Sequence, residues 1–284
     1  YADWTMRLSE LWPELRDELQ EQNGQSLGLE QEGGLHICLS QAEFDSRKES
    51  LDLLRSHQNG RFSYEMLDRK ALLDMQPDLG PDVVGGSWCP HDGHVNPLYL
   101  LRSLHDCLLK KGGSVIVDAK VSAITYQQSL FDVTSTQGRF YAPRLILAAG
   151  LGNRTLAPMV GLEQPVRPQK GHILVTQKTD KLIKLPMTQL RQTAEGSIMI
   201  GDSKEEVGFD ISSSADVTAQ IASRAQRTLP ALKNQHIIRS WAALRVMSPD
   251  GNPIYDQSAS HPGAYAITCH SGVTLAAAHC FDLA

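Results

Sequence analysis

The sequence predicts a mixed α/β (α+β) protein in which a strand-rich block is set among alternating helices and strands. Three observations carry that expectation. Apolar residues recur at helical spacing from the start of the chain. A well-signalled helix after Asn96 leads into short strands that end in an apolar run at Ala149. Three further strand-like runs occupy residues 172–244, with one helix among them, before a last strand and helix.

Taken in order, Trp4, Leu8, Leu11, Leu15 and Leu19 form the first helical stripe, which stops near Gly24. So abrupt an opening, inside structure, reads as the continuation of something earlier. After Gly33 and Gly34 the alternating stretch Leu35 to Leu39 predicts a strand. Residues 41–76 are charged and helical in composition, with Leu51, Leu54, Leu67 and Leu72 as buried positions. Pro77 and Pro81 break that segment, since proline lacks the amide proton a helix needs. Val83 to Cys89 predicts a strand, and His91-Asp92-Gly93 a turn. In the next helix Asn96 is the cap and Pro97 the first residue; Leu98, Leu101, Leu104 and Leu108 form one face. Lys110 and Lys111 sit at the negative end of its dipole, and Gly112 stops it.

Ser114 to Ile124 then predicts a strand. Leu130 to Thr134, a turn at Thr136-Gln137-Gly138, and Arg139 to Ala142 complete a small antiparallel meander, and Arg144 to Ala149 predicts a buried strand ending at Gly150. His172 to Lys178, Ser197 to Gly201 and His236 to Leu244 are strand-like, with a helix opened by Ser214 and Asp216 that buries Val217, Ile221 and Ala225. Gly263 to Cys269 is the last strand. His270 to Thr274 opens a helix whose apolar positions are Val273, Ala276, Ala277, Cys280 and Phe281, and which runs on to Ala284. A strand-rich block inside such alternation predicts two interleaved domains.

Composition excludes several functions. The net charge of -5 arises from well-mixed basic and acidic residues, without the basic stripe that nucleic acid requires. No run reaches the roughly 18 apolar residues that span a bilayer. Tyr1 to Arg16 lack a signal peptide's basic start and apolar core, so a cytoplasmic protein is expected. Cys38, Cys89, Cys107, Cys269 and Cys280 are scattered, which predicts buried free thiols and neither a disulfide framework nor a metal site.

The conspicuous local motif is Leu147-Ala148-Ala149-Gly150-Leu151-Gly152-Asn153-Arg154-Thr155, a glycine pair directly after an apolar strand. Such a turn can cradle a pyrophosphate or a nucleoside, or be a plain loop. Thr155 stands where a third glycine would complete GxGxxG, and no acidic residue ends a strand about twenty residues on. A nucleoside-using methyltransferase fits these residues too, although its loop normally follows the first strand of a domain.

The order of motifs narrows the choice. Gly93-His94-Val95-Asn96-Pro97, the helix to Gly112-Gly113, Val121 in Lys120 to Ile124, and Leu145 to Gly150 come first. Val166 to His172, Gly196 to Gly201 with Asp202 and Ser203, Trp241 to Arg245, Pro249 to Ile254, and Cys269 to Leu275 follow. In register, these resemble the D-amino-acid-oxidase superfamily over essentially the whole chain, most closely the branch with glycine oxidase, the hydrogen cyanide synthase flavin subunit, D-hydroxyproline dehydrogenase and opine oxidase β subunits. The resemblance implies an FAD/NAD(P)-binding-type three-layer fold. In it, residues 1–34, 93–163 and 245–284 form an FAD-binding domain, and 35–92 and 164–244 an antiparallel-sheet substrate domain. It further implies that the strand, GxGxxG turn and helix holding the ADP part of FAD belong before Tyr1, so that the fold is truncated here.

The activity implied is oxidation of an amino acid or secondary amine by hydride transfer from its α-carbon to flavin N5, on a D-amino acid, D-hydroxyproline, opine or glycine-like substrate. The protein need mainly fix the substrate and stabilise reduced flavin. By this resemblance Arg245 clamps the substrate carboxylate, as a bidentate guanidinium can. The turn His270, Ser271, Gly272, Val273 and Thr274 brings N–H groups to the flavin N1 and C2 carbonyl. Gly251, Asn252 and Pro253 lie against the isoalloxazine; Val121, Ala149 and Gly150 contact the adenosine end; Gln189 stands where glycine oxidase has a pocket tyrosine. The turn departs from glycine oxidase in lacking a second arginine beside Gly272, which favours opine-like or cyclic secondary-amine substrates. Lys170 and His172 are expected at a strand edge facing solvent or a partner, and His94 and Cys89 away from substrate. Partners implied are a small amino acid or amine and electron-transfer subunits of a homo- or hetero-oligomer. An inactive fragment without cofactor, or the methyltransferase, is the alternative. The reading requires Arg245 and the Gly272 turn to converge on one cleft.

Overall fold

The computed structural model describes residues 2–283. In chain order its elements are α1 (Ala2–Asn23), β1 (Gly34–Cys38), α2 (Gln41–His57), β2 (Glu65–Asp68), α3 (Arg69–Met75), β3 (Gly85–Cys89), α4 (Pro97–Lys110), β4 (Val121–Gln127), β5 (Leu130–Ser135), β6 (Gly138–Ala142), β7 (Leu145–Leu147), α5 (Asn153–Leu156), β8 (Arg167–Lys178), β9 (Leu190–Gln192), β10 (Ser197–Ile200), α6 (Ala215–Thr228), β11 (Ile237–Met247), β12 (Ile254–Gln257), β13 (Ala264–Thr268) and α7 (Ala276–Phe281). Tyr1 and Ala284, the outer ends of the first and last predicted helices, lie outside the described residues.

Three buried clusters organise these elements. Leu8, Leu11, Trp12, Leu15 and Leu19 of α1 pack with Leu100 and Cys107 of α4 and with Ala276 to Ala278 of α7, the stripe that helical spacing dictates. A second cluster joins Leu35, Ile37, Leu67 and Leu72 to Leu174, Leu190, Ile198, Ile221 and Leu229. Here the antiparallel sheet β1-β3-β2 meets the antiparallel sheet β11-β8-β10-β9, a bridge from Leu35 to Met187 linking the two. α6 covers the second sheet with Ile221 and Ala225. The third cluster holds Ile124, Phe131, Leu147, Val160, Ala264 and Ala266, between the meander β4-β5-β6 and the sheet β12-β13-β7. β13 runs parallel to β7, pairing Ala264 with Leu145 and Ala266 with Leu147.

Several expectations are corrected. α4 is capped by Asn96, whose Oδ1 accepts from the N–H of Leu98 at 3.0 Å. Most of its predicted leucine face nevertheless turns outward, with Leu98 73% exposed and Leu101 65%, while Leu104 packs on the α1 cluster. The helix carries leucines all round, so spacing alone does not choose a face. α1 chooses it, packing on Leu100 and Cys107 while Asn23 Nδ2 donates to the Ser103 carbonyl. Residues 114–120 form no strand; Val121 already pairs with Ser135, the last residue of β5, which leaves nothing beyond for a ladder. β7 has three residues and its Ile146 points out, where burial was expected. β2, β9 and β12 were not legible as strands, being three or four residues long. Lys170 and His172 are buried, not edge residues. β8 is an inner strand whose Lys170, His172, Leu174 and Thr176 all face inward. Among the described residues no helix is long and apolar enough to cross a membrane.

Candidate active site

Arg245 sits near the end of β11, paired with Gln169 across the ladder and diagonal to Gly171. A Cβ at Gly171 would come 2.5 Å from both guanidinium nitrogens Nη1 and Nη2, so the head group lies flat on a strand that only glycine leaves clear. Nη1 donates to the Ser203 carbonyl at 2.8 Å and to that of Lys170 at 3.4 Å, and Nη2 to Asp202 Oδ2 at 2.6 Å. Nε–H donates to no group of the described residues. The side chain is 21% exposed. One edge of a pinned, partly desolvated guanidinium therefore faces outward.

The support beneath is polar and buried. His172 is 0% exposed; its Nδ1 lies 2.8 Å from Glu205 Oε1 and 3.1 Å from Ser203 Oγ, and Nε2 accepts from the Ser214 N–H at 3.1 Å. Since Nε2 accepts, the Nδ1 position holds the proton of the neutral ring. Lys170 Nζ reaches Asp210 at 3.2 Å and Glu205 at 3.5 Å. These contacts fix residues 202–205, and through them the acceptors that hold Arg245.

The turn after β13 approaches the same place. The ordinary His270 pKa is lowered, first by burial and then by the Arg245 and Lys204 cations, so these groups share one electrostatic neighbourhood. His270 Nδ1 lies 3.1 Å from Ser271 Oγ. The helix begins only at Ala276: Leu275 N–H bonds the Ser271 carbonyl and Ala276 N–H that of Val273, while the N–H groups of Gly272, Val273 and Thr274 donate to no group of the described residues. A Cβ on Gly272 would meet nothing nearer than Cys269 Sγ at 3.8 Å.

The glycine turn after β7 completes the arrangement. Gly150 has φ of 57° and its would-be Cβ lies 3.3 Å from Val246 Cγ2, which sets this turn against the neighbour of Arg245. Asn153, fully buried, was not foreseen. Its Oδ1 accepts from Ala149 N–H at 3.0 Å, and its Nδ2 donates to the carbonyls of Leu147 and Ile267 and to Thr268 Oγ1 at 2.6 Å. One amide thus ties the ends of the parallel strands β7 and β13 together, and ligands of such sheets bind outside those carboxyl ends. The only signal in the sequence was a polar residue directly after the glycine pair.

The other expected residues fall around this centre. Gly251, with φ of 77°, Asn252 and Pro253 form the loop after β11; Asp250 accepts from the Asn252 backbone and side chain at 3.0 Å each, and Ser248 Oγ donates to the Asn252 carbonyl at 2.6 Å. Val121 packs on the cluster that contains Leu147. Gln189 Oε1 accepts from Arg224 Nε at 2.6 Å, and Arg224 also grips Glu43 with both nitrogens. Gln189 lines a hollow of about 300 Å3 with Asp202, Lys204, Gln220 and Arg224. A larger hollow of about 510 Å3 lies against Val273 and Thr274, bounded by Trp12, Phe62, His94 and Arg191. Neither hollow is lined by Arg245 or by Gly272; the two are linked through Val246, which lies against the Gly150 turn, and through Asn153, which ties that turn to the end of β13. His94 bonds Glu30, and Cys89 is buried.

The profile of the family described as "DAO: FAD dependent oxidoreductase" matches residues 1–284. The chain belongs to this family. DAO-family relatives include an opine oxidase subunit of Agrobacterium tumefaciens (strain Ach5), 41% identical over 285 residues that cover 100% of this chain and 77% of that protein. Glycine oxidase of Pseudomonas putida is 27% identical over 222 residues, 75% of this chain and 61% of that one. Among solved structures, glycine oxidase from Bacillus cereus superposes with a TM-score of 0.89 at 22% identity, over 97% of this chain and 78% of that one. L-proline dehydrogenase from P. horikoshii superposes at 0.82 and 19%, over 98% and 78%. The fold is therefore the α/β fold of DAO flavoenzymes, the protein is an FAD-dependent oxidoreductase, and the match gives no support to a methyltransferase. The local structure fits FAD: unpaired N–H groups stand at a glycine turn open on one side, next to a second glycine turn at the strand ends.

Proposed function

We propose that this protein dehydrogenates an amino acid or secondary amine, of the D-amino acid, D-hydroxyproline, opine or glycine-like kind, at the carbon beside nitrogen. The arrangement that carries this reading is the Arg245 guanidinium, pinned flat on Gly171 with one edge outward, beside the open turn at His270 to Thr274. FAD, when bound, supplies the acceptor for the hydrogen and electrons that leave that carbon. Arg245 holds the substrate carboxylate in a two-point grip and so orients the carbon that reacts. His270, kept below the ordinary histidine range by burial and two cations, stays neutral near pH 7 and acts as a hydrogen-bonding partner. The turn Ser271, Gly272, Val273 and Thr274 would hold the flavin ring, with the N–H groups of Gly272, Val273 and Thr274 as donors to its negative charge. Gly251, Asn252 and Pro253 form a stiff loop for the ring, Val121, Ala149 and Gly150 serve the adenosine end, and Gln189 lines the substrate side.

Residues 1–34, 93–163 and 245–284 are read as the FAD-binding part, and 35–92 and 164–244 as the substrate part. The separate buried clusters support this, with β11 running unbroken through residue 245 so that Arg245 belongs to the substrate sheet while its neighbour Val246 lies against the Gly150 turn. Two relatives whose names make them subunits, one of opine oxidase and one of hydrogen cyanide synthase, support assembly with an electron-accepting partner.

The test is Arg245→Ala. With FAD retained, as its visible spectrum reports, KM for the amine substrate should rise about 100-fold, the loss of a charge-assisted two-point contact. An unchanged KM would overturn the assignment.

A further inference from the structure

We infer that Asp202 determines which carboxylates this site accepts, by reading the protonated amine of a zwitterionic substrate while Arg245 reads its carboxylate. The inference rests on the amine-dehydrogenase reading above and adds the charge state of the ligand. Asp202 Oδ2 is 2.6 Å from Arg245 Nη2, and Oδ1 has no partner among the described residues.

An exposed ion pair normally contributes little, because two long side chains wander in solvent. This one is built differently. Gly201 N–H bonds the Gln189 carbonyl at 3.0 Å on one side of Asp202. On the other side the Ser203 carbonyl accepts from Arg245 Nη1, and Ser203 Oγ accepts from His172 N–H at 3.1 Å and donates to Glu205 Oε1 at 2.7 Å. Buried His172 and Lys170 lie under the loop and bind Glu205. Both charges are therefore held in place from the backbone, the condition for a recognition element with fixed geometry.

The pair presents plus at Arg245 and minus at Asp202. An amino acid carries minus and plus two bonds apart. Laid antiparallel, it places its carboxylate on the free Nε edge of Arg245 and its ammonium on Asp202 Oδ1, so each charge meets its opposite. A carboxylate without an amine gains one attraction and meets one repulsion, and so does an amine without a carboxylate.

The experiment uses the FAD-containing protein and two probes that differ only in NH2+ against O: N-methylglycine and methoxyacetate. Dissociation constants come from calorimetry, with the flavin spectrum read alongside. The wild type should bind N-methylglycine at least about tenfold more tightly, the contribution of one charged hydrogen bond. Asp202→Asn should weaken N-methylglycine by about tenfold to a hundredfold and tighten methoxyacetate, since a competing carboxylate is gone. Asp202→Ser should do the same, and thermal melting should show both variants folded. If Asp202→Asn tightens both probes equally, or changes neither, Asp202 is only a rest for Arg245 and the inference fails while the site stands. If Arg245→Ala binds both probes as the wild type does, or the wild type binds neither, the underlying amine-dehydrogenase reading fails, and this inference with it.

Discussion

The two halves of the site are built in opposite ways. Around Arg245 both Nη groups have protein acceptors, and the support reaches down to a lysine 3% exposed and a histidine 0% exposed. Around Gly272 the backbone N–H groups of three successive residues find no acceptor among the described residues, and Val273 is 46% exposed. The proposed carboxylate clamp is thus held by the protein alone, whereas the turn presents donors left for a ligand. Substitutions on the first side should damage stability and binding together. Those on the second should separate them.

The largest effect should come from Gly171→Ala. Its Cβ would push against a guanidinium already held by Asp202 and Ser203, so Arg245 must leave its position. Carboxylate affinity should fall on the order of 100-fold, with about 1–3 kcal/mol lost in denaturant unfolding. Unchanged affinity would show that the flat seat on β8 is incidental. Next, His172→Leu removes a buried ring that bonds Ser203, Glu205 and Ser214. It leaves the Ser214 N–H unmatched and takes one donor from Glu205, which keeps Ser203 and Lys170, for a loss of about 1–3 kcal/mol and a smaller loss of affinity.

Stability should also fall in acid. Burial, with Arg47 and Arg224 adding to it, lowers His36 from 6.5 to about 4, and the Arg224 grip lowers Glu43 from 4.5 to about 2. A depressed histidine means the unfolded chain binds more protons between those values, so its contribution is intact above pH 6.5 and lost as pH falls toward 4. That loss should be about 1–2 kcal/mol, and Glu43 extends the decline below pH 4.5. His36→Gln should flatten the upper part of the curve and leave the lower part; a curve unaltered by the substitution would place the linkage elsewhere. The smallest effect on stability belongs to Gly272→Ala, within about 0.5 kcal/mol because nothing crowds its Cβ, yet FAD affinity should drop. An equal loss in both would erase the contrast between the two halves.

Legibility followed local signals. The cap at Asn96, the stripe on α1 and the Ser214 start of α6 were all readable, since each depends on residues within a turn of one another. What depends on distant partners was not. The buried side of α4 is decided by α1, and the end of the ladder before Val121 by the length of β5. Asp202 and Asn153 stood in motifs already singled out, but their roles come from Arg245 and from β13, 43 and 115 positions away. The family resemblance supplied Arg245 and the Gly272 turn as members of one site. It did not supply the glycine seat or the buried His172 that hold the clamp.

Convergence of Arg245 with the turn is the claim beneath all of this, and His270 reports on it directly. Its imidazole titration can be followed by NMR in the wild type and in Arg245→Met. Removing the cation should raise the His270 pKa, because Arg245 opposes its protonation. A titration that does not move would mean that the two groups do not share a site.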